Sequence, residues 1–402
     1  MPAVRPVCLR EARTAVRSFG AALALLLAAC TQDDVVATRR CGAASCPASD
    51  PAFCLGSGPQ ISAAQDSRIC AGSLIARSLP AAVCSCGSMQ GGDFASDSFD
   101  SRVAPYQPGG SLGAVGVHGP LRSDGSWQLN GPLLATDVSG VFVRSSLRTQ
   151  GSLQVQGPVS GDSVVVQADA QVGGNIQLVN LTVVGALTTP VGASVQVSGQ
   201  AQVGSSLQNG VQVAPPCLCD LDPYTSAPIN DLRTRNDNAA LALRSEQLEG
   251  FGGDAVIDLP CGRYFFSRIA GLGGLTLRIH GRVELAVSGG IDLGGAWNVS
   301  LDPGAELDLY VHGDVTVAGP LSLGDAGSAP RFRWFPGGVD SISFAGGGTI
   351  GATLLGRRRA WMSSAPIDFY GALIVDSMQI NAGLRVHRDL AVTGLSGQCR
   401  LP

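Results

Sequence analysis

Lysine does not occur in the 402 residues; the basic charge is 27 arginines, set against 31 acidic residues, for a net charge of −4. A Walker loop needs lysine, so phosphate binding of that kind is excluded. A mildly acidic chain is also a poor match for nucleic acid or anionic lipid surfaces, and nucleic acid is not an expected partner. Only 14% of residues are charged and 5% aromatic, and the histidines number four: His118, His280, His312 and His387. Acid–base and metal chemistry have little to work with, so no catalytic residue, metal or cofactor is expected. The apolar run Phe19 to Ala29 is too short to cross a bilayer as a permanent helix.

That run has a different use. Arg5, Arg10, Arg13 and Arg17 precede it, opposed only by Glu11, which is the layout of a signal peptide over residues 1–29. The run stops on Leu27-Ala28-Ala29-Cys30, which resembles the bacterial lipoprotein signal. The resemblance implies that Cys30 carries a diacylglyceryl group, becomes the new amino terminus and is acylated, so that the membrane is a partner through the lipid anchor. Each buried methylene contributes ~0.8 kcal/mol, and more than one chain is needed for stable anchoring. Thr31, rather than Asp, follows the cysteine; in enterobacterial lipoproteins this implies the outer membrane. The expected location is the bacterial cell envelope. Removing residues 1–29 leaves 23 Arg against 30 acidic residues, a net charge of −7.

Ten cysteines remain besides Cys8 and Cys30, an even number that reads as disulfides in an exported chain. Six lie before residue 90 (Cys41, Cys46, Cys54, Cys70, Cys84, Cys86) and four after residue 210 (Cys217, Cys219, Cys261, Cys399). The grouping predicts three bridges within an amino-terminal cap and two tying the start of the carboxy-terminal domain to its end. The rival is a metal site at the two Cys-x-Cys pairs, although structural zinc normally has two to four residues between its cysteines.

Composition then divides the chain. Residues 30–100 read as a Cys-rich cap and linker, with Asp93, Asp97 and Asp100 in a solvated acidic loop rather than a Ca²⁺ site. From 101 to 213, stretches such as "SLQVQGPV" and "DSVVVQADAQV" alternate apolar and polar residues between frequent glycines, the pattern of short strands with one buried face. "GSWQLNGPLL" (125–134) and "GSLQVQGPVS" (151–160) nearly repeat. Residues 214–253 form a connector with Cys-x-Cys and a helix over 229–250, placed to cap a strand stack. From 254 to 396 strands return, and "LRIHGRVELAV" at Leu277 matches "LYVHGDVTVAG" at Leu309; 397–402 is a tail. Repeats of strands too small to form cores alone must stack on neighbours. The expected fold is all-β: two right-handed parallel β-helix or solenoid domains, a helical connector and a small disulfide-rich amino-terminal cap. The alternative is a pair of β-sandwiches, whose turn signals come further apart.

The stretch 367–392 carries a family resemblance through Phe369-Tyr370-Gly371-Ala372 and the closing Val386, His387 and Asp389. It resembles the end of uncharacterised β-solenoid domains in bacterial pilus-associated and surface proteins. "LPCGRYFFSRIAG" (259–271) is similar to the opening of such domains in secreted proteins of myxobacteria. The resemblance covers roughly 215–396 and implies an extracellular role without known catalytic residues. Where members often have "YAP", this chain has "LLGRRRA" (354–360).

Among chemical candidates, a His280–His312 column is the one metal arrangement, read as repeated turn residues. Asp292, Asp302, Asp308 and Asp314 read as solvated. Arg357, Arg358, Arg359 and Trp361, with Arg331, Arg333 and Trp334, are the ligand-binding candidates, since arginine and aromatic side chains suit anionic polysaccharide or an envelope protein partner. The expected function is a non-catalytic cell-surface lipoprotein displaying a rigid solenoid for adhesion or for envelope or matrix assembly. The alternative is a polysaccharide lyase or hydrolase on a β-helix.

Overall fold

The computed structural model describes residues 51–58, 62–63, 66–70, 79–219, 226–338 and 341–397. Cys30, Cys41, Cys46 and Cys399, expected to carry lipid or disulfides, lie outside the described residues, as do the side chains of Cys70 and Arg357.

The chain is nearly all β, 53% strand and 6% helix, wound as a parallel β-solenoid of about 13 turns. One turn runs Ile269–Gly271, Leu275–Ile279 and Arg282–Val287, and each strand pairs in parallel with its equivalent a turn later: Ile291–Leu293, Trp297–Leu301 and Glu306–Val311. The stack thus has three faces. Alternation buries every second side chain in a narrow interior, as the buried, exposed, buried sequence of Ile291–Leu293 shows. Corners leave little room: a Cβ on Gly313 would stand 2.5 Å from the backbone nitrogen of Gly290. Turn length varies, from Val159 under Ile176 to Phe94 under Trp127, 17 and 33 residues apart.

The two strand-rich regions belong to one stack. Its last carboxy-terminal turn is covered by the first amino-terminal one: Leu373 pairs with Val83, Met378 with Met89 and Leu384 with Phe94. Val83, Met89 and Phe94 are covered in turn by Val115, Leu121 and Trp127. One interior column therefore reads Ile269, Ile291, Val315, Ile342, Trp361, Met378, Met89, Leu121, Val141, Val159, Ile176 and Val195. This corrects the reading of residues 83–101 as cap and linker. Their polar look, in "GGDFASDSFDS", reflects a strand whose outward neighbours are polar groups from the chain's other end.

The sequence repeats have a different meaning from the one expected. Leu277 pairs with Val299, and Leu309 with Leu285, so the two "HG" segments lie a turn and a third apart. Trp127 pairs with Leu147 and Leu153 with Leu133, which displaces the second repeat in the same way. The repeats record equivalent corners between different faces, so His280 and His312 form no column.

The connector returns along the outside of the stack. It leaves the last turn where Asn209 N–H bonds Thr189 O, and Val213 N–H bonds Gln156 Oε1 at 2.9 Å. Disulfides Cys84–Cys217 and Cys86–Cys219 then pin it beside the seam. The helix Ser226–Thr234 buries Ile229 and Leu232 in a second core with Phe265, Ala286, Tyr310, Phe335 and Ile374. Full burial of such aliphatic side chains contributes roughly 1.5–3 kcal/mol each. The expected helix over 229–250 is shorter. Asn236 and Asp237 end it, and Asn238 instead bonds Phe265 O and N at 2.7 and 3.0 Å, imitating a strand neighbour. Leu241, Leu243 and Leu248 then close the interior at this end, as a capping connector should.

The third described disulfide, Cys54–Cys261, ties the helix Pro51–Leu55 to the same end. All three described bridges join the amino-terminal cysteine group to the later one, with Cα–Cα separations of 5.8, 6.4 and 5.6 Å. This corrects the expected grouping; the sequence order of the cysteines hides the spatial order because the chain's two ends meet mid-stack.

Residues 226–397 expressed alone should aggregate, having the Leu373, Met378 and Leu384 turn uncovered. A permuted chain with 226–397 placed before 79–219, with Cys261 changed to Ser, should recover a single cooperative thermal transition. Circular dichroism melts of both decide it; a stable, monomeric 226–397 fragment contradicts a continuous stack.

Candidate functional site

The most concentrated polar chemistry sits on the outside of the seam. Tyr370, His387 and Asp97 occupy one outward row, paired in register across three strands. The loop after residue 99 lays Tyr106 over them. His387 Nδ1 meets Asp97 Oδ1 at 2.7 Å, and Asp97 Oδ2 accepts Tyr106 O–H at 2.8 Å and Gly109 N–H at 3.2 Å. The imidazole lies between the rings of Tyr106 and Tyr370, with centroids 4.3 and 4.7 Å away. Burial, before the neighbouring Asp97, pushes the Tyr106 phenol far above its ordinary range, so it donates and does not ionise. Asp389 is buried below this group and accepts Ser101 N–H and Ala391 N–H, both at 3.0 Å; burial raises its pKa.

The His387–Asp97 pair has the bonding of a hydrolase dyad, with Nδ1 held by a carboxylate. The other nitrogen faces Asp368 at 3.9 Å, itself paired with Arg385, and not a hydroxyl or thiol. A Gly-x-Ser-x-Gly string, Gly109 to Gly113, crosses this loop, but Ser111 is exposed and no helix follows it, unlike a nucleophile elbow. Gly346, Gly348 and Gly351 have dinucleotide-type spacing, yet lead into the strand Gly348–Ser363 rather than a helix.

A second cluster holds the amino-terminal segment at the closed end. Arg263, Glu284, Asp308 and Arg333 stack in one row of a face that is buried on both sides. Arg333 donates to Asp308 Oδ1 and Glu306 Oε2, both at 2.6 Å. Arg282 donates to Phe53 O and Gly58 O at 3.0 and 2.6 Å and lies 4.5 Å from the Phe53 ring centroid. Gly58 N–H bonds Glu306 Oε2 at 2.9 Å. Asp308 is thus enclosed, not solvated as expected, because a segment more than two hundred residues away covers it. Burial, reinforced by Asp308, pushes Glu284 up to about 7, against the pull of Arg263 and Arg282.

The remaining candidates scatter. His280 bonds Asp302 at 2.8 Å and Asp258 at 3.1 Å; its pKa is raised because these bonds outweigh burial, which acts to lower it. Both ring nitrogens are engaged, so it is a poor base. Trp334 and Trp361 are fully buried in the interior, and Arg333 and Arg359 are buried too. Arg331 donates to the carbonyls of Asp302 and Ala305. Only Arg358 of the patch is exposed among the described side chains. The arginine–tryptophan patch is therefore no single surface; strand alternation sends its aromatic members inward. Ligand atoms of Cys84, His118, Cys217 and Cys219 lie within 4.8 Å of one another, but these cysteines belong to the two disulfides, and His118 Nε2 lies 3.1 Å from Cys217 O.

Fold and bonding define a disulfide-strapped parallel β-solenoid with two buried polar clusters at its joints. Residues 206–395, slightly under half of the chain, match the family model described as a domain of unknown function (DUF7305). The match begins in the last turn, takes in the connector and ends in the turn that residues 83–99 cover. No curated protein and no solved structure matches the chain.

Asp97 is buried in a strand, which corrects the reading of it as part of a solvated acidic loop, and sequence reasoning missed Tyr106, Glu284 and Arg282. Asp97 and Arg282 gain their roles from partners distant in the chain, Tyr106 from the loop that lays it over Asp97, and Glu284 from neighbouring turns of the stack. Asp97→Ala should cost roughly 1–3 kcal/mol, as removal of one partner from a buried hydrogen-bonded group does, and should open the 100–114 loop to protease; urea unfolding and limited proteolysis check this. Glu284 binds its proton more tightly folded than unfolded. Its contribution is present in full below its ordinary pKa of 4.5 and is lost as pH rises through about 7, an effect on the order of 3 kcal/mol. Glu284→Gln should therefore melt near the parent at pH 5 and above it at pH 8; equal shifts at both values contradict the assignment.

Proposed function

We propose that the protein is a non-catalytic lipoprotein of a bacterial cell envelope, anchored through acyl chains on Cys30 in the outer membrane, which displays the solenoid as a stiff scaffold for adhesion or for envelope or matrix assembly. One observation carries the reading. The helix Pro51–Leu55 is bonded to the closed end of the stack, through Cys54–Cys261 and the Arg282 contacts, while the last turn lies at the other end. About 13 turns spaced ~4.8 Å apart make the stack about 60 Å long, so a tether entering at residue 51 leaves the far tip free to meet a partner.

Two further features support it. Disulfides persist in an oxidising compartment. The histidines and acids that resemble catalytic groups are bonded to one another, His387 to Asp97 across the joint and His280 to Asp302 and Asp258 between neighbouring turns. The carbohydrate-active alternative has one observation in its favour, a shallow groove of about 330 Å³ lined by Asp93, Gln128, Pro366 and Arg385. There, however, Arg385 is paired with Asp368, and Asp93 accepts Ser126 N–H.

Metabolic labelling with palmitate, followed by mass spectrometry of the amino-terminal peptide, should show acylated Cys30 and none in Cys30→Ser. An unmodified or differently processed terminus removes the anchor. A glycan array and whole-cell binding assay with the Cys30→Ser chain should show saturable binding without turnover; cleavage of any polysaccharide replaces the scaffold by the enzyme.

A further inference from the structure

The two ends of the stack are unequal. At the closed end, Ala255, Ile257 and Leu259 of the first turn are at most 1% exposed, because Leu241, Leu243 and Leu248 cover them. At the other end, the strands Val195–Val197 and Ala201–Gln208 pair, among the described residues, only with the strand Ile176–Thr189 beneath them. Val195 sits directly on buried Ile176 and is 46% exposed. Val179, Val184, Val191 and Leu207, a collar of apolar side chains spread around the last two turns, are each at least 42% exposed. The outer edges of these terminal strands carry main-chain donors and acceptors with no strand of the described residues against them.

Exposed edges are normally guarded by charge, proline or bulges. Here one bulge interrupts the last pairing, between Val183 and Ala186, but charge is missing. Residues 170–219 contain no Asp, Glu, Arg or His, and the terminal strands are built from Val, Ala, Gln, Ser, Gly and Leu. A neutral tip offers nothing to a partner chosen by charge, and it meets another neutral tip without repulsion. We infer that the open tip, Val195–Gln208 with its collar, is the surface on which a second copy of this chain docks, tip against tip. Across a twofold axis the terminal strands of the two copies lie antiparallel and satisfy one another's edges, while the Val195 and Val203 interiors join. The closed opposite ends stop further growth, so the product is a pair rather than a filament. If the anchoring proposed above holds, the two tethers leave from opposite ends of the pair, and pairing joins facing membranes; the pairing itself does not depend on the anchor.

Sedimentation of the Cys30→Ser chain tests the pairing without lipid. A dimer is expected, in which hydrogen exchange protects 195–208 in a concentration-dependent way. Gln196→Arg with Gln202→Arg places like charges on exposed tip positions outside the interior; it should weaken the dimer by about tenfold or more and leave the melting temperature unchanged. A monomer at all concentrations overturns the inference. So does a dimer indifferent to the two arginines, or concentration-independent protection of the tip, which assigns its cover to a segment of the same chain. With the acylated protein, clustering of neutral lipid vesicles that the double variant abolishes tests the membrane-joining consequence. Absence of clustering with an intact soluble dimer strikes the anchor reading alone.

Discussion

A turn of parallel strands is stable only when another turn lies on each side of it. Its backbone groups point along the stack axis, and its inward side chains bury one another only between layers. The consequences of that requirement run through the whole molecule. The carboxy-terminal turns end on an uncovered layer around Leu373, Met378 and Leu384, and the chain's own residues 83–99 supply the cover. The end around Ala255 and Ile257 is closed by the connector. The layer that no described residue covers, at Val195, lies in a stretch without charge, residues 170–219.

Covering a layer with chain that is remote in sequence needs fasteners, and the polar chemistry is found where those are required. Loops of 133 and 207 residues are closed by disulfides; closing one such loop contributes about 5 kcal/mol in the chain-entropy account, and the second bridge of the neighbouring pair Cys84–Cys217 and Cys86–Cys219 encloses little further chain. At the seam, Asp97 binds His387 and Tyr106; at the closed end, Arg282 and Arg333 bind the amino-terminal segment and the acids beneath it. Burying charge costs several kcal/mol per ion and is offset only by close pairing. Burial raises the pKa of Glu284, Asp308 and Asp389 alike, against the pull of the arginines or N–H groups beside them. Such clusters resemble active sites because both are made by enclosing ionisable groups, and here the enclosing walls are distant segments of one chain.

The period of two in "SLQVQGPV" or "IDL", with glycine at the corners, was enough to identify short strands stacked in a coil, and the connector's leucines were recognisable as a cap. The near-repeats at Leu277 and Leu309 were real, but they encode a corner shared by all three faces, so their spacing exceeds one turn. Trp361 and Arg333 looked like a surface patch because a string of arginines suggests exposure; alternation and a covering segment bury them. Asp97 looked solvated and Tyr106 carried no signal, since their partner His387 lies some 290 residues beyond Asp97.

Alternation and glycine spacing by themselves determined that this chain forms stacked strands around an aliphatic interior, because side-chain direction in a strand is a local property of the backbone. Which turn lies on which was decided only in three dimensions. Parallel pairing matches apolar layers without regard to their distance along the chain, so the meeting of the two ends, the choice of cysteine partners and the burial of the charged rows follow from which layer was left open when the chain had wound.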